Sequence, residues 1–303
     1  MKGGALIVLN TEMLDLACAY RTTKSGKAQD IIHSIYDQQY LAKHGEDNFY
    51  VNIEHFLERS VMLTTLISEH DYELPCHTRT YEHTDIVFTN EPLVDTLTKE
   101  SAIYGKTISV LSSGKSQNIC GEFQFGKSGY DETIGYCSTA FLSCLRFYEN
   151  FWLENKKYDN KGFYNDNIVC ALHVPVIKNS SYKYISQPYL INYYVCSAVN
   201  RNIVSRKAVT RLKDVNKVMK ERMRASLKAM VANSDKTSKR VAILSPFGCG
   251  AMGNSISSVA HIWYELLELE GWKKYFSKIV FSCNFKETAV ALKMFENAYE
   301  SIS

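Results

Sequence analysis

The sequence of 303 residues lacks the features that would mark several large classes of protein. No apolar run reaches the roughly 18 residues that a transmembrane helix requires, so we expect no membrane association. The apolar run near the N-terminus is only about five residues long, which is shorter than a secretory signal needs. The net charge of +3 is too small to predict nucleic acid as a partner. The 46% of hydrophobic residues instead predict a packed globular core.

Signatures of disulfide and metal sites are also missing. The nine cysteines are an odd number, and none forms a C-x-x-C pair. Several lie in apolar, strand-like segments such as 168–172 and 194–196, so we expect buried free thiols in a reducing, cytoplasmic compartment. A bacterial effector delivered into a host cytosol would also meet this condition. The eight histidines are scattered, and we predict no metal ion and no cofactor.

The most informative segment is a glycine-rich stretch near the C-terminus, Ser245 to Asn254, which reads S-P-F-G-C-G-A-M-G-N. An apolar strand pattern at 241–244 precedes it, and a helical pattern at 257–269 follows it. Glycines bring backbone N–H groups close to a ligand, and a helix start adds unpaired N–H groups and a positive dipole end. This arrangement predicts an anion site, most often for phosphate, and hence a nucleotide-like diphosphate ligand.

Two other interpretations of this loop remain open. Gly248, Gly250 and Gly253 form a literal G-x-G-x-x-G, which would fit an NAD-dependent oxidoreductase. That fold requires an acidic residue about 20 positions further on, at the end of the next strand. The next predicted strand ends at 281–284, which contains no acidic residue. A purely structural glycine turn is the other alternative.

The order of predicted elements indicates an α/β fold. From residue 165 onward strands alternate with helices, which is typical of a mostly parallel sheet flanked by helices. The strands are predicted at 5–9, 84–89, 167–176, 190–198, 240–245 and 278–283. The helices are predicted at 11–20, 52–68, 139–152, 207–232, 257–269 and 287–301. Residues 22–50 are interpreted as a long loop with a helical piece, and residues 112–127 as a loop.

Several segments together resemble the bacterial-type poly(ADP-ribose) glycohydrolases, which are macrodomain proteins. Residues 244–254 are similar to the signature L-G-A-W-G-C-G-V-F-G-N of that family. Residues 174–178 resemble its V-P-V-F-R, and residues 188–201 resemble its P-x-x-V-x-V-I-T-x-A-A-P-N. Residues 8–10 resemble its V-L-N strand. The continuous resemblance covers about 160–300, and the N-terminal part matches only in short, separate segments.

The resemblance implies a fold, a ligand and an activity. The fold would be macrodomain-like and mixed α/β, one domain over 1–303 with a large insertion subdomain at 71–160. The ligand would be ADP-ribose or an ADP-ribosylated protein. The activity would be hydrolysis of the glycosidic bond at the distal ribose, through an oxocarbenium-like state.

The resemblance also implies a catalytic glutamate. The family signature is a glycine-rich loop, then Gln-Glu-Glu, then a helix of the type x-L-x-R-x-[ST]-x-L. The segment from Asn52 to Ser60 aligns with it and places Glu54 on the second, catalytic glutamate, with Asn52 at the glutamine. No Gly-Gly-Gly precedes it, which favours mono-ADP-ribosylated protein over polymer as substrate. From the residues alone, the favoured interpretation of Glu54 is an ordinary glutamate in the first turn of a helix.

The remaining candidate site residues lie at strand ends and in the glycine loop. Asn10, at the end of the first predicted strand, would either contact a ribose or form part of a turn. Asn284 and Phe285 follow the last predicted strand, where Phe285 would either stack on adenine or pack in the core. Backbone N–H groups of the loop would hold the diphosphate. The loop residues are Gly248, Cys249, Gly250, Ala251, Met252, Gly253 and Asn254. Met252 stands where the family has an aromatic residue.

Two further expectations concern function. Loss of the Gln-Glu-Glu pattern leaves open a catalytically inactive module that only binds ADP-ribose. The basic helix at 207–232 is interpreted as a solvated face over an apolar stripe rather than as a polyanion site.

Overall fold

The computed structural model describes residues 25–68, 78–104, 108–234, 239–282 and 288–301. The predicted strand at 5–9 and helix at 11–20 lie outside these residues. The described strands are β1 (Gln39–His44), β2 (Asp47–Asn52), β3 (Thr65–Ile67), β4 (Asp85–Thr89), β5 (Ile108–Leu111), β6 (Ile168–Lys178), β7 (Tyr184–Cys196), β8 (Val241–Leu244) and β9 (Lys278–Ser282).

Helices occupy most of the remaining described chain. The α-helices are α1 (Gly26–Tyr36), α2 (Glu54–Leu63), α3 (Leu93–Tyr104), α4 (Tyr130–Cys137), α5 (Ala140–Leu145), α6 (Glu154–Lys157), α7 (Arg201–Lys207), α8 (Val215–Ala232), α9 (Ile256–Tyr264) and α10 (Thr288–Glu300). Short 3₁₀ turns lie at Phe123–Phe125, Asn160–Gly162, Val209–Asp214 and Trp272–Tyr275, and π-helical turns lie at Tyr148–Leu153 and Glu265–Leu269.

Seven strands form one mixed, mostly parallel sheet in the order β3-β6-β7-β5-β8-β9-β4. The pairs from β7 to β4 are parallel, and β3 and β6 add two antiparallel pairs at one edge. This arrangement confirms the predicted α/β, macrodomain-like class. The hairpin of β1 and β2 is a separate two-stranded sheet.

The sheet is buried on both faces, which is why its central strands read as continuous apolar runs. Every residue of β5 and of β8 is buried. Successive residues of a strand point to opposite faces. Ile243 and Val280 accordingly pack into the core layer on one face, whereas Leu244 and Phe281 pack into the layer on the other.

The later strands and helices confirm the prediction, and helix α8 confirms the apolar stripe predicted for it. Met219, Met223 and Leu227 are buried at helical spacing, and Val215 is buried at the helix start. The predicted helix at 207–232 is interrupted, however. Its first part is the 3₁₀ segment Val209–Asp214, and α8 follows it.

The structure corrects the interpretation of residues 71–160 as an insertion subdomain. Strand β4 forms one edge of the central sheet, and β5 lies in its middle between β7 and β8. These two strands therefore belong to the central sheet rather than to a separate subdomain. A buried strand of four residues has no alternation of apolar and polar residues, so periodicity did not reveal β5.

Three helical or loop predictions in the N-terminal half are also corrected. The helix predicted at 52–68 ends at Leu63, and the chain continues into β3, which pairs with β6. The helix predicted at 139–152 is divided into α5 and the π-helical turn at Tyr148–Leu153. Between them, the guanidinium of Arg146 donates to the carbonyls of Val61, Met62 and Thr64. These contacts satisfy carbonyls at the end of α2 that have no helical partner. The loop predicted at 22–50 contains α1 and most of the hairpin.

Candidate functional site

A cavity of about 350 Å³ lies at the carboxyl ends of β5, β8 and β9. In open α/β sheets, ligands bind in the crevice at this edge. The lining residues are Ser113, Lys115, Ser128, Gly129, Tyr130, Ser245, Pro246, Gly248, Gly250, Ala251, Met252 and Ser282. The glycine loop therefore forms one wall, and the segment before α4 forms the other.

The glycine loop is held in shape by its own backbone and by the end of β5. Gly248 has φ +72° and Gly253 has φ +74°, in the left-handed region that glycine adopts without strain. The amide of Gly248 donates to the carbonyl of Ser113 (3.0 Å), and the amide of Gly253 donates to the carbonyl of Gly250 (3.0 Å). The loop is a fixed turn joining the ends of neighbouring strands.

Three consecutive amides in this loop are available for a ligand. Among the described residues, no acceptor pairs with the backbone N–H groups of Gly250, Ala251 or Met252. Gly250 and Ala251 are exposed, and the side-chain Nδ2 of Asn202 donates to the carbonyl of Ala251 (3.1 Å), which orients this peptide. Free amides next to the start of a helix are donors that can bind an anion, and the phosphate site stays a prediction.

The loop residues outside this triplet have internal roles. The amides of Gly248, Cys249, Gly253 and Asn254 all donate to backbone carbonyls, so the available donors are fewer than the sequence suggested. The side chain of Asn254 is buried and donates to the carbonyls of Val199 (2.9 Å) and Gly248 (3.1 Å). It braces the loop. Met252 lines the cavity with its mostly buried side chain.

The opposite wall carries a buried carboxylate that sequence reasoning did not select. Glu132 lies in the first turn of α4, and its side chain is fully buried. Its Oε1 accepts from Nζ of Lys115 (2.5 Å) and from the amide of Glu122 (3.0 Å). Its Oε2 has no partner among the described residues. Lys115 lines the cavity, so the carboxylate lies directly behind the wall.

Two glycines leave room for this carboxylate. A Cβ on Gly121 would lie 2.5 Å from Oε1 of Glu132, and a Cβ on Gly129 would lie 2.4 Å from Oε2. Real Cβ contacts are never this short, so any other residue at either position would displace the carboxylate. Because Gly129 lines the cavity, Oε2 lies close to the cavity surface.

The neighbouring Asp131 fastens α4 to the end of β5. Its carboxylate accepts from the amide of Ser113 (2.8 Å), the hydroxyl of Ser113 (2.7 Å) and the hydroxyl of Tyr193 (3.1 Å). Complete burial raises the pKa of Asp131, and the two bonds from Ser113 oppose that effect. These bonds join the glycine loop and the first turn of α4, since Ser113 also contacts Gly248.

The structure places Glu54 and Asn52 away from this cavity. Glu54 is exposed at the start of α2, and the side chain of Asn52 accepts from its amide (3.0 Å) as a local turn. Helix α2 packs against β6, which is three strand positions from β8. At a strand spacing of about 4.8 Å, that separation is about 14 Å. Neither residue lines the cavity, so a catalytic role for Glu54 stays a prediction without support from this geometry.

A second match to the family signature could have identified Glu132. Gly121, Gly126 and Gly129 precede Tyr130-Asp131-Glu132, and a helix follows. This order fits the glycine-rich loop, Gln-Glu-Glu and helix better than the segment at Asn52 does. The substitution of tyrosine and aspartate for the first two positions hides the signature. Asn10, Asn284 and Phe285 lie outside the described residues, so their roles remain predictions.

The basic helix is partly neutralised by acidic side chains, which is consistent with the interpretation as a solvated face. Glu270 accepts from Arg224 (2.7 Å) and from Lys220 (3.1 Å), and Glu265 also pairs with Lys220. Arg222 is buried against Asp166. The hydrogen bonds from Arg224, together with Lys220, lower the pKa of Glu270 to about 2.

We expect this cluster to make stability depend on pH. The folded-state pKa of Glu270 lies below its ordinary value of 4.5, so its stabilisation is complete above pH 4.5 and is lost as the pH falls towards 2. Glu270→Gln should therefore lower the free energy of unfolding at pH 7 by on the order of 1 kcal/mol. Urea unfolding at several pH values should show the difference shrinking below pH 4.5. Glu46→Gln, an exposed change in the hairpin turn, is the control, and a deficit that does not depend on pH would contradict the argument.

Three further observations concern the cysteines, the metal-ligating side chains and the helix lengths of the described residues. The described cysteines are free thiols, five of them buried and Cys249 half-buried. No group of three metal-ligating side chains occurs among the described residues. In the same part of the chain, no helix has the length and apolarity needed to cross a membrane.

Comparison with known proteins gives one family match. Residues 28–179, about half of the chain, match the model of the family described as microbial-type PARG, catalytic domain. The match contains α4 and Glu132 and ends just after β6. No curated protein sequence gives a significant match.

Solved structures show the same fold over nearly the whole chain. The crystal structure of poly(ADP-ribose) glycohydrolase (PARG) from Thermomonospora curvata superposes with a TM-score of 0.78 at 18% identity, covering 95% of this chain and 100% of that chain. The same protein bound to the inhibitor ADP-HPD gives 0.75 at 18% identity, with 97% and 100% covered. PARG from Deinococcus radiodurans in complex with ADP-ribose gives 0.69 at 19% identity, with 82% and 98% covered.

Proposed function

Because this chain belongs to the microbial-type PARG catalytic-domain family, we propose that it is an ADP-ribosyl hydrolase that acts in the cavity described above. Its ligand would be ADP-ribose attached to a protein. The free thiols fit action in a reducing compartment.

One observation carries the proposal. Among the described residues, the three amides at Gly250–Met252 on one wall of the cavity have no partner, and neither has Oε2 of Glu132, which lies behind Gly129 and Lys115 of the opposite wall. The amides are donors for a pyrophosphate, which lies in the middle of ADP-ribose. In the proposed orientation the distal ribose, which carries the glycosidic bond, lies on the side of β5. The carboxylate of Glu132 lies on that side as well.

The chemistry requires few groups. Water attacks C1″ of the distal ribose, the bond from C1″ to the side-chain atom of the modified protein breaks, and the transition state is oxocarbenium-like. Oε2 of Glu132 donates a proton to the leaving atom as its bond to C1″ breaks. The carboxylate then accepts the proton that the attacking water loses, which restores the starting state of the site. Lys115 and the amide of Glu122 hold the other oxygen, which fixes the direction of the carboxylate.

We propose mono-ADP-ribosylated protein rather than polymer as the preferred substrate. The sequence lacks the Gly-Gly-Gly run that precedes the two glutamates in the signature of the bacterial-type poly(ADP-ribose) glycohydrolases. The expected result is release of ADP-ribose from mono-ADP-ribosylated protein at least about tenfold faster, per bond, than shortening of poly(ADP-ribose), a difference of about 1.4 kcal/mol in barrier. Chromatography of released ADP-ribose measures both rates. Faster cleavage of polymer would refute the preference while leaving the hydrolase proposal intact.

A module that binds ADP-ribose without cleaving it is the second candidate. It is favoured by the ion pair of Lys115 with Glu132, because this ammonium occupies one oxygen of the carboxylate at the cavity wall. Calorimetry with ADP-ribose, run beside the release assay, separates the two. Binding without release supports the module, and absence of binding rejects both candidates.

A further inference from the structure

Two buried serine hydroxyls at the floor of the cavity have no hydrogen-bond partner in the part of the chain that the structure describes. Ser245 follows β8, and Ser282 is the last residue of β9. Leu244 pairs in register with Phe281, so the next two residues, Ser245 and Ser282, lie side by side. Both line the cavity, and the Oγ atom of each is buried without a hydrogen-bond partner among the described residues.

The direction of these side chains follows from the strands. Ile243 and Val280 pack into one core layer, and their intervening neighbours Leu244 and Phe281 pack into the other. By alternation, Ser245 and Ser282 continue the row of Ile243 and Val280, where this core layer ends at the cavity. The indole N–H of Trp263 donates to the carbonyl of Ser245 (3.3 Å), which holds the backbone there.

Orphan hydroxyls of this kind are costly unless something else binds them. A buried polar group without a hydrogen bond destabilises the folded protein, so most such groups are paired. Ser113, which lines the same cavity from β5, shows the contrast because its hydroxyl donates to Asp131. The hydroxyls of Ser245 and Ser282 are therefore donors and acceptors held ready for a ligand.

We propose that the hydroxyls of Ser245 and Ser282 bind the two ribose hydroxyls of the adenosine half of the nucleotide. This inference rests on the proposed function. If the distal ribose lies by Glu132 near β5, the adenosine half extends towards β9, two strand spacings or about 10 Å away. A vicinal diol donates and accepts hydrogen bonds, as a serine pair does, whereas the loop amides only donate.

The position of Ser245 relative to the three free amides favours the adenosine ribose over the adenine base as the group that the serines bind. Ser245 lies five residues before Gly250, the first of the three free amides, and both line one cavity. The group that Ser245 reaches must therefore lie close to the pyrophosphate. In a nucleotide the ribose is bonded directly to the phosphate, and the base is one unit further away.

The test is a thermodynamic double cycle in which the serines are substituted in the protein and the ribose hydroxyls are removed from the ligand, separately and together. Calorimetry would compare ADP-ribose with the analogue whose adenosine lacks both ribose hydroxyls, for the wild type and for Ser245→Ala, Ser282→Ala and the double variant. Each single change should weaken ADP-ribose binding about three- to tenfold, as expected for one neutral hydrogen bond. The wild type should bind the analogue at least about tenfold more weakly, and the double variant should discriminate less than about twofold.

The melting temperature of the ligand-free protein distinguishes a ligand-binding role of the two serines from a structural role, because the two roles predict shifts in opposite directions. Removing an orphan hydroxyl should leave the melting temperature of the ligand-free protein unchanged or higher in Ser245→Ala and Ser282→Ala. Ser113→Ala should lower it, because that hydroxyl is paired with Asp131. Thr96→Val removes a buried orphan hydroxyl on α3, outside the cavity lining, and should change neither ADP-ribose affinity nor discrimination.

The outcomes separate this inference from the proposed function. If the double variant weakens ADP-ribose and the analogue equally, the hydroxyls bind another group and the inference fails. It also fails if affinity is unchanged, as bound water at the serines would predict, while the wild type still binds and releases ADP-ribose. If the wild type binds no ADP-ribose, the proposed function fails and takes the inference with it.

Discussion

Glu132→Gln is expected to lower the rate of ADP-ribose release by about 10²- to 10⁴-fold, the range for loss of a positioned acid or base. The glutamine keeps an oxygen that can accept from Lys115 and from the amide of Glu122, so the local contacts are retained. It cannot transfer a proton to or from the unpaired second position. Affinity for ADP-ribose should change only a few-fold, because the free amides at Gly250–Met252 are untouched. Single-turnover release and calorimetry measure the two effects separately.

Glu54→Gln is the matched control for this substitution. Glu54 is exposed, begins α2 and does not line the cavity, so release should stay within about twofold of the wild type, the scale of a surface change. The two variants decide between the sequence-based and the structure-based assignment of the carboxylate. Loss of release in Glu54→Gln with normal release in Glu132→Gln would show that the assignment to Glu132 is wrong.

Gly248→Ala is expected to abolish measurable ADP-ribose binding at ligand concentrations that saturate the wild type. A Cβ at this position would lie 2.7 Å from the side-chain nitrogen of Asn254 and 2.8 Å from Cβ of Ala198. The loop must then move, and the spacing of the amides at Gly250–Met252 changes with it. The left-handed conformation at φ +72° adds a cost of about 1–2 kcal/mol for a residue with a Cβ. Calorimetry and urea unfolding measure affinity and stability.

Gly271→Ala is the control for Gly248→Ala, because it introduces the same backbone strain without a clash in the glycine loop. Gly271 has φ +74°, and a Cβ there would meet nothing within 4 Å. It should lose a similar 1–2 kcal/mol, roughly, to backbone strain and keep its affinity for ADP-ribose. If Gly248→Ala binds as tightly as Gly271→Ala does, the geometry of the loop is not what holds the ligand.

The glycine loop and the strands beside it could be predicted because their signals are local. The apolar run 241–244, the glycines that follow and the periodic stretch after Asn254 lie within one short segment, and each expresses a backbone requirement. Strands β6 to β9 and helix α8 were predicted for the same reason. Strand β5 was missed because four buried residues between two helices show no periodicity, although it lies at the centre of the sheet.

The carboxylate of the site could not be located from a local pattern. Glu54 was selected because a helix follows an asparagine that resembles one position of a signature, but the packing of α2 on β6 takes it away from the loop. Glu132 is joined to the loop only through contacts between distant parts of the chain. Ser113 contacts both Asp131 and Gly248, although these residues are 117 positions apart.

By itself the sequence determined the class of fold, the glycine-rich loop after β8 and the family resemblance, because backbone conformation and apolar periodicity are properties of neighbouring residues. Only the tertiary structure decided which acidic side chain lies behind the cavity wall, and which loop amides and hydroxyls have no partner among the described residues. Each of these depends on the order in which strands meet in the sheet. A parallel sheet brings together the carboxyl ends of strands far apart in sequence, and no local pattern records which ones become neighbours.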